Sequence, residues 1–124
     1  MSIVCTPGLL GESDLSDIRT LEQLPWLQEL GTDEVSDVAA MLGFKTTPRI
    51  AAQMPGNLIH DALRRGDGLT YTPSIFVDEE IEAGTLVELK RFPGFGHFYI
   101  ALAHGAPRRS VRTFLRWLRA QAAG

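Results

Sequence analysis

Short apolar runs and three-to-four-residue apolar periodicities alternate along this chain, and glycine or proline closes most of them. "SIVCT" reads as a short buried strand stopped by Pro7-Gly8. "LLGESDLSDIRTLEQL" reads as loop plus a helical turn near Thr20 to Leu24, ended by Pro25, which cannot continue a helix. "PWLQEL" follows as a strand whose apolar content is Trp26 and Leu27. In "TDEVSDVAAMLG", Val35, Val38, Ala39 and Leu42 recur at helical spacing and define one apolar face. Thr32 is the expected N-cap, Asp33 and Glu34 suit the first turn, and Gly43 closes the helix. "TPRIAAQM" is a strand, Pro55-Gly56 a break, and Asn57 the expected cap of a helix from Leu58 to Arg65. Leu58, Ile59, Ala62 and Leu63 form its apolar stripe, and Arg64 and Arg65 oppose the dipole at its end.

Strand 49–54, helix 57–65 and strand 69–72 therefore form a βαβ crossover with short connections, for which parallel strands are expected. "SIFVDEEIEAG" reads as a short helix with Ile75, Phe76 and Ile81 inward and Gly84 at its end, and "TLVEL" as a further strand. After the loop "KRFPGFG", the apolar run "HFYIALAH" has the look of a strand covered on both faces. Pro107 opens a last helix to about Ala122, with Val111, Phe114, Leu115, Leu118 and Ala122 toward a core. Arg108, Arg112, Arg116 and Arg119 form a separate stripe, and Trp117 widens the apolar face.

Composition narrows the function more than the fold. The chain has 124 residues, enough for one small α/β domain with a real core. Its net charge of −3 argues against sequence-independent nucleic-acid binding, which rests on phosphate neutralisation. The arginine stripe reads as a solvated face rather than a nucleic-acid or acidic-partner face. A lone Cys5 excludes an internal disulfide and suits a reducing cytosol. No apolar run reaches the roughly 20 residues of a membrane span, and the N-terminus shows no signal-peptide pattern.

Candidate chemistry is sparse. His60, His97 and His104 are scattered, His60 reads as a surface residue, and no cluster has metal-ligand spacing. Cys5 reads as a buried, inert thiol; a small enzyme using it as nucleophile would need a low thiol pKa. "GFG" and "GDG" are turns, too short for phosphate loops. "QMPGNL" places a helix N-terminus past the carboxyl end of a strand, where open α/β sheets bind ligands. An anion there gains about 0.3–1 kcal/mol. An ordinary cap with no ligand fits the same pattern.

Taken in order, four segments resemble the effector-binding domain of LysR-type transcriptional regulators. "VCTPGLL" looks like the crossover from the first to the second lobe. "IRTLEQLPWL" and "ALRRGDGLTYTPSIFVDEEIEAGTLVEL" resemble second-lobe segments, and "HFYIALAHGAPRRSVRTFLRWL" the closing strand and helix. The similarity runs from Ile3 to Gln121. It implies a fold like the type 2 periplasmic binding proteins: two α/β lobes, a hinge of two crossing strands, and a small anionic metabolite or amino acid between them. It also implies a homo-oligomeric, bacterial, cytoplasmic regulator and no catalytic, metal or cofactor site.

These 124 residues contain no winged helix-turn-helix and no linker helix, so direct DNA binding is not expected of them. Residues 6–89 correspond to the second lobe and 96–122 to a strand and helix of the first, as in a truncated or degenerate regulator. A stand-alone solute-binding or regulator-modulating oligomerisation module is the alternative. Carried over by position, the effector site comprises Thr6, Pro7, Met54, Pro55, Gly56, Asn57 and Thr72. With one cleft wall only, weak effector binding or none is expected. The bare closing segment is expected to pair with a second copy as a homodimer.

Overall fold

The computed structural model describes residues 1–94 and 99–124. Strand β1 (Ser2–Cys5) is central, with β4 (Thr70–Thr72) on one side and β5 (Val87–Arg91) on the other, both antiparallel to it. A second sheet pairs β2 (Trp26–Glu29) parallel to β3 (Ile50–Met54). The two sheets meet at Leu69, whose amide donates to the Pro25 carbonyl (2.8 Å) and whose carbonyl accepts from the Leu27 amide (2.8 Å). The crossover strands are parallel, as expected, but they do not pair with each other. Helix α4 (Gly56–Arg65) does connect β3 to β4, but β2 lies between them and runs parallel to both β3 and Leu69.

β1 is wholly buried because helices cover both of its faces, and its residues alternate between two apolar clusters. Ile3 and Cys5 join Leu10, Leu21, Trp26, Val35, Val38 and Leu69 on one face. This side carries α1 (Pro7–Leu10), α2 (Arg19–Gln23) and α3 (Glu34–Leu42). Val4 joins Leu27, Ile59, Ala62, Leu63, Val77 and Leu86 on the other, under α4 and α5 (Asp78–Ala83). Trp26 is fully buried and satisfies its indole N–H on the Leu21 carbonyl (2.8 Å), as burial of that group requires.

Local chemistry departs from the expected pattern in three places. Thr32 does not cap α3; its hydroxyl donates to the Glu29 carbonyl (2.8 Å). The helix begins at Glu34, and the side-chain oxygen of buried Gln28 accepts from the Val35 amide (3.0 Å). Asn57 does not cap α4, which starts at Gly56 with Pro55 in the cap position and no side-chain cap bond. Ile75 and Phe76 do not face inward. They sit in a 3₁₀ turn (Ser74–Phe76) that is tighter than an α-helix, so the neighbouring Val77 takes the buried position and Ile75 and Phe76 are exposed. Ile81 does pack on the second cluster.

The closing segment differs most. Tyr99 to Ala103 carry no strand, and Tyr99, Ile100 and Leu102 are exposed. Membership of a sheet, not apolar content, makes a strand, and residues 99–103 join neither sheet. Phe95, Gly96, His97 and Phe98, which include most of the GFG turn, lie outside the described residues. Helix α6 (Arg109–Ala123) follows with only Leu115 buried; Phe114 and Trp117 stack on each other (centroids 5.7 Å apart) while exposed. Val111 is 38% exposed and Ala122 is exposed, so this face has no core to meet among the described residues.

Candidate functional site

A cleft of about 340 Å³ opens where β2 and β4 end and α3 and α4 begin. Loops leaving the carboxyl ends of strands leave such crevices in α/β sheets. Gly56 and Ile59 border it from the first turn of α4, with His60 beside them; Thr70, Tyr71 and Thr72 come from β4, and Phe76 from the 3₁₀ turn. Glu29 closes β2 and Glu34 opens α3, so both carboxylates border the same space.

His60 is half-buried rather than free on the surface. Its Nε2 lies 3.2 Å from the Thr72 hydroxyl, and its ring meets Phe76 edge to face at 5.9 Å. Thr70 shares the α4 side of the sheet with Thr72, by the two-residue alternation of a strand. It is 3% exposed, and its hydroxyl has no hydrogen-bond partner among the described residues. Buried hydroxyls are normally paired, which makes this one conspicuous. Burial raises the Glu34 carboxyl above its ordinary range, and the charge of Glu29 adds to the effect. Burial, followed by the charges of Glu34 and Asp37, also raises the Tyr71 phenol.

Of the expected site residues, Gly56 and Thr72 border this cleft. Asn57 stands at its lip, on a shallow surface shared with Gly56, His60 and Phe76. Met54 and Pro55 lead the chain into Gly56 without lining the cleft. Thr6 lies elsewhere: a Cβ placed on Gly66 would come 3.1 Å from its hydroxyl oxygen, so Thr6 is beside the far end of α4. A ten-residue helix is about 15 Å long, which separates Thr6 and the adjacent Pro7 from Gly56. Glu29, Glu34, His60, Thr70, Tyr71 and Phe76 were not anticipated. His60 carried one legible signal, standing four residues after Gly56 and so above it on the same helix face.

Nucleophilic chemistry at the single thiol is not supported. Cys5 is buried, and that burial pushes its pKa up to about 11. Among the described residues no three His, Cys, Asp or Glu side chains gather as metal ligands, and no helix is long and apolar enough to cross a membrane.

The mixed sheet with helices on both faces and a cleft at its strand ends define an α/β ligand-binding fold of the periplasmic-binding-protein type. The family model described as LysR substrate binding domain matches residues 1–123, and the chain belongs to that family. Its fold is similar to the effector domain of the transcriptional regulator AmpR of Pseudomonas aeruginosa (TM-score 0.72, 16% identity, covering 98% of this chain and 59% of that one). The AmpR effector binding domain from Citrobacter freundii gives 0.67 at 16% identity, covering 94% and 60%. The regulatory domain of HypT from Salmonella typhimurium gives 0.61 at 18% identity, covering 99% and 61%. The chain thus spans about three fifths of these domains. No curated protein sequence matches it.

Proposed function

We propose that this chain is the ligand-sensing part of a LysR-type transcriptional regulator, acting in the cytoplasm through a small-molecule effector and not as an enzyme. Family membership supports the sensing role. The observation that carries the site is the cleft bordered by Gly56, Thr70 and Thr72, where the Thr70 hydroxyl is buried and unpaired. In this reading residues 6–89 form one lobe and 96–122 belong to the other, and these residues make no direct contact with DNA. The exposure of nearly all of α6 supports that division. The test is a ¹H–¹⁵N titration of the chain with a panel of small metabolites. The Gly56, Thr70 and Thr72 amides should shift together; shifts confined to other parts of the chain would remove the cleft from consideration.

The apolar arm supports a homodimer. Tyr99, Ile100, Leu102, Phe114 and Trp117 expose large side chains in one continuous segment, and exposed apolar patches mark interaction sites. A second copy covering this segment across a two-fold axis hides both arms at once. Sedimentation at micromolar concentration should show a dimer that Trp117→Glu with Phe114→Glu dissociates. A wild-type monomer would defeat this.

A further inference from the structure

We propose that the cleft takes a small ligand bearing a protonated amine, held by the Glu29 and Glu34 carboxylates with the Thr70 hydroxyl as a further partner. This deepens, and rests on, the cleft reading above.

The charge of the lining points that way. Glu29 and Glu34 border the cleft, and no lysine or arginine is among its described lining residues. The terminal amine of Met1 is also at the border, where it donates to the Phe92 carbonyl (3.4 Å).

The helix end that could welcome an anion is already faced by an acid. A Cβ placed on Gly56 would come 2.9 Å from Glu29 Oε1, so this carboxylate lies against the first turn of α4. It occupies the position in which an incoming anion would meet the helix dipole. An anionic ligand therefore meets repulsion there, whereas an ammonium group meets two carboxylates and can bond to both. Burial and the neighbouring Glu29 charge already disfavour the charged form of Glu34, a strain that a bound cation relieves.

The Thr70 hydroxyl is the independent second observation. It is buried, borders the cleft and lacks a partner among the described residues. A hydroxyl both donates and accepts, so it can take an ammonium N–H or give its proton to a carbonyl beside the amine.

The test compares four probes of nearly equal size by ¹H–¹⁵N titration of the chain at neutral pH: glycinamide, glycine, acetamide and acetate. Glycinamide and glycine should move the Gly56, Thr70 and Tyr71 amides about tenfold more tightly than acetamide or acetate. Glu29→Gln and Glu34→Gln, each checked for a native spectrum, should each reduce that discrimination. Acetate or acetamide binding as tightly as glycinamide overturns the charge preference and leaves the cleft as a ligand site. No movement of these amides with any of the four overturns both.

Discussion

The Thr70 hydroxyl yields a prediction whose sign is unusual for a buried substitution. Thr70→Val keeps the β-branched shape and removes only the oxygen. That oxygen is buried with no partner among the described residues. Burying a hydroxyl without a compensating bond costs about 1–3 kcal/mol by the measure of protein mutants. Strand preference changes little, since both residues favour strands. Most of the change is therefore recovered desolvation, and the low end, about 1 kcal/mol, is the expected gain. For a chain of 124 residues this raises Tm by roughly 3–6 °C. Urea denaturation followed by circular dichroism should show a higher midpoint at unchanged slope. Thr72→Val is the control: its hydroxyl bonds to His60 (3.2 Å), so it should lose about 0.5–1.5 kcal/mol. A Thr70→Val midpoint lowered as far as that of Thr72→Val would show that both hydroxyls are bonded in the native state. The reasoning about an unpaired group would then fail.

Gly68→Ala should destabilise by about 1–3 kcal/mol, because the new Cβ would sit 2.9 Å from the Pro25 carbonyl oxygen and 3.1 Å from Leu27 Cγ. Backbone cannot step aside there without breaking the Leu69 bond that joins the sheets, and chemical denaturation reads the loss. Cys5 is raised from 9.0 to about 11 in the fold, so the unfolded chain releases its proton first. Its contribution is complete below pH 9.0 and declines as pH rises from there to about 11, which alkaline denaturation midpoints of wild type and Cys5→Ala can compare. By the same burial, a thiol reagent at neutral pH should label Cys5 only as fast as the chain opens; rapid labelling of the native protein would contradict the buried placement.

The elements legible in the sequence were those that declare themselves within ten residues. Glycines 43 and 66 end α3 and α4 in the left-handed conformation, and the apolar spacing before each placed most of its buried face, although Leu58, expected in the α4 stripe, is exposed. The insertion of β2 between β3 and β4 was not legible, because two hydrogen bonds of Leu69 to residues more than forty positions away decide it. The cap of α3 failed for a similar reason: Gln28 reaches it across a turn, from the preceding strand. The run after residue 98 has strand composition but joins neither sheet. Of the positions carried over from the family resemblance, Gly56 and Thr72 border the cleft. The two carboxylates and Thr70 required knowing which strand ends converge, and that is a property of register rather than of any local pattern.

The placement of β1 bears on how the molecule is made. Ser2 is matched with Thr72 on one edge and Arg91 on the other. β1 must therefore wait for its strand partners until residues 70–91 have been synthesised. Such distant pairings slow folding, since a long loop has to close before they repay its entropy. β1 is the keystone of its sheet, made before both of its neighbours and seated only after them, and assembly is most vulnerable to aggregation during that interval.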